Sequence, residues 1–529
     1  MTPSFNLLDE PWIRVTRLNG APDEVSLLAL FREATDIAGI HGEIASQDVA
    51  ILRLLLAICH RAMDGPEDLD TWREYWEEPE RLGRDASAYL ERYRERFDLR
   101  DPDRPFFQVA GIHAASGKTS GLESLIVDVP NGNPFFTTRI AQGLESIGWA
   151  EAARWLVHVH AFDPSGIRTG AVGDPWVKGG KGYPIGPGWT GQIGTVTVTG
   201  ESLERTLLLN TAVCEDLPDL VDVDPEQDLA PWEHENDGPA GSHDLEPTGP
   251  VSCYTWQTRR VLLHGDDAGV TGLFLGNGDK ATPQNRYLVE PMTAWRFSEP
   301  QTKKFKTPVY MPRKLPTDRA FWRGLSTVVA QLSPKVTVKG AGEVTRYRSP
   351  GVVSFYQELM RRRIVPAGGL IPLRAVGIEY GARRRSSPSS STMSSPCPLA
   401  YSTPRTRDCS PLCTTPWRRR SMPPPHCGTW PGTWIALAAG ARIRHRLHAS
   451  MPVPPSTRSL MSVSPDGSHP STKRTRSGRA TSGAGCCAPR HGSSRRRWHP
   501  PRLIPPSPGV ERERDGWTSV RRCSSSAAL

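Results

Sequence analysis

The sequence predicts an α+β fold with a large mixed globular body, and three observations predict it. Apolar residues recur at helical spacing over 47–63 and again over 147–160. Other short segments alternate apolar and polar residues as strands do, and Asn19-Gly20 is a strong hairpin-turn signal between two of them. Residues 1–382 carry these patterns and are numerous enough to enclose a substantial core.

The first half of this body is predicted to be mainly helical. The chain opens on a strand pair, and a buried helix follows over 47–63. The charged residues of 70–96 predict amphipathic surface helices. An extended segment is predicted from Pro105, a strand over 125–129, and a further helix over 147–160.

The second half is predicted to be richer in strands. The predicted strands are short apolar runs bounded by turn residues, and they cover 195–200, 205–210, 254–265 and 270–276. Residues 215–250 are acidic and rich in proline and glycine, which predicts an exposed, mobile insertion. The sequence thus predicts one N-terminal domain over 1–382.

Charge is distributed unevenly along the chain. The formal net charge is +9, yet residues 1–382 hold 40 Lys and Arg against 51 Asp and Glu, a net of −11. Residues 383–529 hold 25 basic and 5 acidic residues, a net of +20. Any basic surface of the body must therefore be local, because the overall field of the body repels phosphates.

Residues 383–529 form an Arg/Ser/Pro-rich tail without helical or strand periodicity. One interpretation is a native, disordered basic tail. Scattered tryptophans and cysteines favour a second interpretation, a shifted reading frame. This interpretation can be tried by assuming G or C at every third codon position and reading the codons from one nucleotide earlier. The codons of 389–395 then encode Val-Val-Asp-Asp-Val-Val. Residues 408–427 then become an alanine-rich stretch with helical periodicity.

Cysteine usage and apolar segments argue against several protein classes. Cys59, Cys214 and Cys253 precede the tail without a CxxC pair, which indicates neither a disulfide framework nor a zinc site. The start lacks the features of a secretory signal, and the longest apolar stretch, 49–58, is too short to span a bilayer. We therefore expect a cytoplasmic protein with no membrane partner, no metal and no cofactor.

Two motifs suggest catalytic chemistry only weakly. Ser-Gly-Lys-Thr at 116–119 resembles a phosphate-binding loop, but position 112 is Ile where that motif needs glycine, so a surface turn is favoured. His158 and His160 lie in a helical apolar run without a metal-ligand partner, so ordinary core or surface histidines are favoured. Neither a nucleophile elbow nor a pair of catalytic carboxylates can be placed.

The glycine-rich stretch 165–194 is the most informative feature. It interleaves glycines with basic residues, among them Lys178 and Lys181. Glycine lets backbone amides approach a ligand closely, and amides with lysines suit a phosphate backbone or a groove edge. A flexible surface loop is the alternative on these residues alone. Lys280 lies in a second polar cluster, 276–286, where a solvated turn lysine is the alternative to a ligand contact.

Several collinear stretches resemble the CasA family, the large subunit of the type I-E CRISPR surveillance complex Cascade. These stretches are FNLLDEPWIRV (5–15), RFDLRDPDRPFFQ (96–108), VPNGNPFFTTR (129–139), SGIRTGAVGDP (165–175), RTLLLN (205–210), PQNRYLVEPMTAWRFSEP (283–300) and LRAVGIEYGA (373–382).

The resemblance implies a subunit that is not an enzyme. It implies an α+β body followed by a C-terminal four-helix bundle, assembled with other Cascade subunits near the 5′ handle of the crRNA. Such a subunit reads the protospacer-adjacent motif on target double-stranded DNA, starts strand separation and presents the target to a helicase-nuclease.

The resemblance also implies roles for particular residues. Gly170 and Gly173 match the glycine loop placed against the motif's base pairs, and Lys280 matches the lysine finger that enters the minor groove. Lys178 and Lys181 accompany them on the predicted nucleic-acid surface. The loop that docks on the complex and the crRNA handle is matched by Asn131, Asn133, Phe135 and Phe136.

This chain departs from the family where the strand-separating wedge is expected. The wedge tip should follow 378–381, but Ala382 is followed by Arg383-Arg384-Arg385. The recovered frame resembles the first helices of the family's bundle, so the wedge tip and bundle are predicted to be replaced by an out-of-frame tail. Two alternatives remain: a nucleotide-dependent enzyme using 111–119, and a nucleic-acid-binding protein that uses its basic tail.

Overall fold

The computed structural model describes residues 3–66, 68–129, 144–213, 224–235, 238–315, 328, 333–338, 342–366, 371–380 and 389–397, the last of these by backbone alone. All of them lie in a unit spanning Met1–Arg419. A second unit, Arg420–Leu529, lies outside the described residues.

The described helices lie mostly in the first half of the chain. They are α1 (Leu27–Arg32), α2 (Ala45–Ala62), α3 (Leu69–Glu77), α4 (Pro79–Arg92), α5 (Trp149–Phe162), α6 (Leu203–Asn210), α7 (Pro250–Tyr254), α8 (Glu299–Phe305) and α9 (Gly351–Arg361). Within the described residues, no helix has the length and apolar character needed to cross a membrane.

The described strands pair into small sheets that are antiparallel throughout. They are β1 (Ile13–Arg17), β2 (Pro22–Val25), β3 (Ile37–Ile40), β4 (Arg168–Thr169), β5 (Lys181–Gly182), β6 (Thr195–Val198), β7 (Arg259–Asp266), β8 (Gly269–Asn277), β9 (Trp295–Phe297), β10 (Tyr310–Pro312), β11 (Lys335–Val338), β12 (Gly342–Thr345), β13 (Tyr347–Arg348), β14 (Ile371–Glu379) and β15 (Ser389–Cys397). The sheet orders are β2-β1-β3, β10-β9-β13, β11-β12, β15-β14-β6, β4-β5 and β7-β8.

Helix α2 forms the centre of the core. Nearly all of its 18 residues are buried, because α4, α5, α6 and α7 pack around it. A helix covered on most sides must be apolar on more than one face, and its run of Leu, Ile and Ala residues meets that requirement.

One charged pair is enclosed in this core. The Arg53 guanidinium of α2 binds the Glu290 carboxylate at 2.7 Å, and both side chains are fully buried. Trp189 donates its indole N–H to the same carboxylate at 2.7 Å. Arg53 also donates to the carbonyl of Cys253. Since a buried charge is costly without a partner, this network fixes α2 against the segments that carry Glu290 and Trp189.

The α+β fold class is confirmed, and so are the elements with the strongest local signals. The N-terminal hairpin forms from β1 and β2, with Ile13 opposite Val25. The predicted helices at 47–63 and 147–160 are α2 and α5, and the amphipathic segment 70–96 supplies α3 and α4.

The predicted strand over 205–210 is wrong, because these residues belong to helix α6. Ser202 caps this helix by accepting a hydrogen bond from the N–H of Arg205 at 3.2 Å. A short apolar run such as Leu207–Leu209 fits a buried helix as well as a strand. The predicted strand over 254–265 likewise begins too early, since Tyr254 ends α7 and β7 starts at Arg259.

Two predictions before α5 are also wrong. Residues 125–129 form turns instead of a strand. The segment from Pro105 is a tight turn, with Phe107 at a φ of +55°. The Phe106 and Phe107 rings stack 4.2 Å apart, so aromatic burial accompanies the unusual backbone.

The described part of the acidic insertion is buried against the body at some residues and exposed at others, such as Glu226 and Asp244. Trp232 is 2% exposed, and its ring lies 5.1 Å from that of Phe97. The buried Asp228 carboxylate accepts hydrogen bonds from the N–H groups of Val251 and Ser252 at the start of α7. The predicted mobility of the insertion stays a prediction.

Only 389–397 of the predicted tail are described, where the backbone forms strand β15 beside β14. The rest of the tail lies outside the described residues, and so does the predicted domain boundary at Ala382.

Candidate nucleic-acid interface

The lysine pair of the glycine-rich stretch flanks a two-residue hairpin turn. The N–H of Lys178 donates to the carbonyl of Lys181 at 3.1 Å, and the reverse bond measures 3.2 Å. Gly179 and Gly180 between them have φ values of +59° and +70°. Positive φ at both central residues is what a type I′ turn requires, so glycine is needed here. Lys178 and Lys181 are both exposed at this tip.

Gly170 and Gly173 need glycine for different reasons. Gly170 is buried, and its N–H donates to the carbonyl of Gly180 at 3.1 Å. A Cβ atom at Gly170 would lie 2.5 Å from a methyl carbon of Val177, closer than packed atoms approach. Gly173 is exposed with a φ of +90°, a backbone conformation that disfavours larger residues. Both glycines therefore shape the loop that carries the lysines.

The loop is anchored to the body by a charged cluster. Asp163, at the end of α5, accepts from Arg168 of β4 at 2.6 Å and from the buried Arg259 of β7. Arg259 also donates to the carbonyl of Gly186 at 2.9 Å. Arg168, near the start of the glycine-rich loop, and Arg259 of β7 bind the same carboxylate. Arg259 also binds Gly186 near the other end, so both ends of the loop are connected to β7.

Lys280 has a fixed backbone and a side chain in solvent. Its N–H donates to the carbonyl of Ser242 at 2.8 Å. The preceding Asp279 carboxylate accepts from Arg260 at 3.0 Å and from the N–H of Ser242 at 2.7 Å. Lys280 itself is exposed. This arrangement fixes the backbone of Lys280, and among the described residues no carboxylate pairs with its ammonium group.

The segment 238–245 joins Lys280 to the glycine-rich loop. His243 stacks on Trp176 with ring centroids 4.1 Å apart and an interplanar angle of 9°. Pro239 lies beside Gly173, where an added Cβ would be 3.2 Å from its ring. Since Ser242 of the same segment binds Lys280, the structure brings the two predicted basic features to one segment.

Sequence reasoning missed the aromatic residues of this loop. Trp176 is 50% exposed and Tyr183 is 55% exposed, on either side of the lysine turn. Aromatic rings interleaved with lysines are a signal of nucleic-acid contact, because rings stack on bases while lysines neutralise phosphates. The sequence itself carries this signal, since Trp176 and Tyr183 lie on either side of Lys178 and Lys181.

The other predicted site residues lie outside the described residues. They are Asn131, Asn133, Phe135, Phe136 and Ala382. Close to the last of them, the Tyr380 hydroxyl donates to the carbonyl of Phe162 at 2.5 Å, which anchors the chain just beyond β14. The roles implied for these residues stay predictions.

The described residues include the two motifs that suggested catalytic chemistry. Among them, no group of three or more His, Cys, Asp or Glu side chains could hold a metal ion. His158 and His160 are buried core residues, as predicted: ring nitrogens lie 3.0 Å from Ser46 Oγ and 2.9 Å from the carbonyl of Phe107, respectively. A turn covers 114–117, where the N–H of Gly117 donates to the carbonyl of Ala114 at 2.9 Å, so only the start of 116–119 belongs to it.

Comparison with known proteins identifies relatives over this body. The family model of CRISPR-associated protein Cse1 matches residues 6–402. The CRISPR-associated protein CasA/Cse1 of Thermus thermophilus is 32% identical over 348 residues. That match spans 63% of this chain and 61% of the relative, which is less than two thirds of the relative's length.

Two solved structures share the fold of the body. The crystal structure of Thermobifida fusca Cse1 is 41% identical, with a TM-score of 0.67 and coverage of 74% of each chain. The crystal structure of Cse1 from Acidimicrobium ferrooxidans is 30% identical, with a TM-score of 0.62 and coverage of 74% of this chain and 71% of the other.

Proposed function

The chain belongs to the CRISPR-associated protein Cse1 (CasA) family, and we propose that it is the large, non-catalytic subunit of a type I-E Cascade complex. Its partners in this role are the other Cascade subunits, the crRNA and target double-stranded DNA. The family match over residues 6–402 supports the assignment. The two Cse1 structures that share its fold support it further.

Within this role, the body recognises the protospacer-adjacent motif. The observation that carries this proposal is the segment 238–245, which contacts the glycine-rich loop and holds the backbone of Lys280. A base-paired motif presents edges in the groove and phosphates at its rim. The hairpin tip carries two lysines, and Lys280 has its backbone held by a different segment. Together these lysines can contact base edges and phosphates at the same time.

The later steps of the role concern residues beyond this surface. Recognition is followed by strand separation at the end of β14, where Ala382 stands at the expected wedge, and by presentation of the target to a helicase-nuclease. The loop with Asn131, Asn133, Phe135 and Phe136 docks the chain on the other subunits and the crRNA handle.

In this proposal, residues from 383 onward are translated in a shifted reading frame. The printed residues opposite β14 are Ser-Ser-Ser-Thr-Met-Ser-Ser-Pro-Cys, whose serines and proline suit a strand poorly. The nucleotide sequence around codon 383 tests this directly, because a single-base insertion or deletion relative to a sister strain must be present.

The function is tested with two versions of the chain, one as printed and one with the frame restored after codon 382. Each is assembled with the other Cascade subunits and crRNA, and binding is measured to duplexes that contain or lack the motif. We expect motif-dependent binding with the restored chain and its loss with the printed one. Equal binding of both duplexes by the restored chain would refute motif recognition.

A further inference from the structure

A basic cleft lies beside the end of β14, and none of the residues assigned above is part of its lining. Its volume is about 790 Å³, within the range of about 300–1,000 Å³ typical of ligand sites. Its polar lining comprises Gln192, Arg296, Arg313, Lys314 and Glu379. Three cations and one carboxylate thus contribute to the lining of the cleft.

Within the part of the chain that the structure describes, the positive charge of the cleft is poorly neutralised. Among the described residues, no carboxylate lies within 4 Å of a charged nitrogen of Arg296, Arg313 or Lys314. The Arg313 Nη1 atom is buried and has no hydrogen-bond partner there. Burial lowers the pKa of the Arg313 guanidinium, Tyr347 opposes this, and the nearby charge of Arg296 lowers it further. Such a group is stabilised by an anion that enters the cleft.

Lys314 shares this environment. Its side chain is exposed, yet the cleft walls remove enough water from the ammonium group to lower its pKa, against the opposing charge of Glu379. The ammonium nitrogen also lies 5.7 Å from the ring centroid of Tyr380, a cation–π arrangement.

The remaining walls of the cleft are apolar, with proline, methionine, leucine and isoleucine side chains. They are Pro187, Pro283, Met311, Pro312, Leu315 and Ile378. A duplex presents phosphates and keeps its bases paired inside. A single strand presents phosphates and unstacked bases together, so it suits cations set among apolar surfaces.

We propose that this cleft binds a segment of single-stranded DNA through Arg296, Arg313 and Lys314. Its position supports the assignment, because Ile378 and Glu379 end β14 immediately before the predicted strand-separating tip. In the frame-restored chain, a strand released at that tip would meet the cleft within a few residues. The identity of the bound strand rests on the proposed function, whereas the preference for single strands does not.

The test measures the reactivity of individual lysines in the full chain. Lysines are acetylated with and without an oligothymidine, and modification is quantified by mass spectrometry. We expect the oligothymidine to protect Lys314 severalfold and in a saturable manner. Lys303 and Lys304 of α8 serve as internal references, and Arg313→Gln should weaken the protection of Lys314.

The experiment contains neither crRNA nor the other subunits, so its outcome does not depend on motif recognition. Because acetylation is measured at each lysine, DNA binding at the cleft is distinguished from DNA binding by the basic residues of 383–529. Equal protection of Lys303 and Lys314 would overturn the proposal. A duplex of the same length that protects Lys314 as strongly as oligothymidine would overturn the single-strand assignment.

Discussion

The carbonyl oxygen of Ser242 accepts a hydrogen bond from the N–H of Lys280 at 2.8 Å. The next residue along the chain from Ser242 is His243, which stacks on Trp176 of the glycine-rich loop. One dipeptide therefore contacts both basic features of the candidate interface. Displacement of this segment should alter both contacts together.

Lys280→Ala should weaken motif-dependent duplex binding by the assembled complex about fivefold or more. A lost groove contact costs about 1–3 kcal/mol, and 1.4 kcal/mol is about tenfold in affinity. The measurement is equilibrium binding to duplexes with and without the motif, using the frame-restored chain. Lys303→Ala on α8 is the matched control, because it removes an exposed cation that pairs with Glu299. Equal affinities of the two variants would refute the role of Lys280.

Bulky replacements at Gly170 or Gly173 should also reduce motif-dependent binding. Gly170→Val would place atoms into Val177 and the turn that carries the lysines. Gly173→Val would impose about 1–2 kcal/mol of strain at its positive φ. Gly39→Ala is the control, since a Cβ there meets nothing within 4 Å. Binding and melting temperature are measured in parallel, and unchanged motif binding in both variants would contradict the assignment.

The fold was predictable where the local signal is strong. The Asn-Gly turn at 19–20 and the apolar period of α2 each reflect residues within one element, and both elements form as predicted. Helix α6 was missed because its Leu207–Leu209 run has the length of a strand, and its cap at Ser202 was the discriminating signal.

The candidate site was predictable only as separate pieces. Composition and family resemblance pointed to the glycine-rich stretch and to Lys280. Their common contact depends on His243 stacking on Trp176 and on Ser242 binding Lys280, pairs that are distant in the sequence. Such pairings follow from tertiary packing, for which a single sequence carries no local signal. The burial of Trp232 in the acidic insertion was missed for the same reason.

Glu290→Gln should destabilise the body by about 3–5 kcal/mol, because Arg53 would remain as an uncompensated buried charge. Burial raises the pKa of Glu290, but the Arg53 guanidinium and the Trp189 N–H outweigh it, so the pKa is lowered overall. The measurement is the free energy of unfolding in urea. Arg53→Met combined with Glu290→Met should cost less than Glu290→Gln alone, since it removes both charges. A larger cost for the double variant would contradict this account.

Three buried histidines should make the body less stable as the pH falls below about 6.5. Burial lowers the pKa of His60 to about 4, and those of His158 and His160 to about 3. Unfolded histidine has a pKa of about 6.5, so between pH 6 and 5 the unfolded chain carries most of these protons while the folded chain carries few of them. Each histidine then costs about 1.4 kcal/mol of stability per pH unit.

Glu204 should oppose this loss. Burial raises its pKa to about 7, so the folded chain binds its proton more readily than the unfolded chain does, and stability rises as the pH falls through this range. The three histidines lower the free energy of unfolding and Glu204 raises it. Together these four groups lower it by about 3 kcal/mol between pH 6 and 5. Urea unfolding at these two pH values measures the difference.

The contribution of one histidine can be isolated with His158→Gln. Glutamine removes the titrating ring and keeps a polar group near Ser46 Oγ, which the ring nitrogen approaches at 3.0 Å. Whatever this substitution costs at pH 7, the loss of stability from pH 6 to 5 should shrink by about 1.4 kcal/mol. His113→Gln, at an exposed position, should leave the loss as it is in the unaltered chain. An unchanged pH dependence in His158→Gln would mean that this ring is protonated in the folded chain, contrary to its burial.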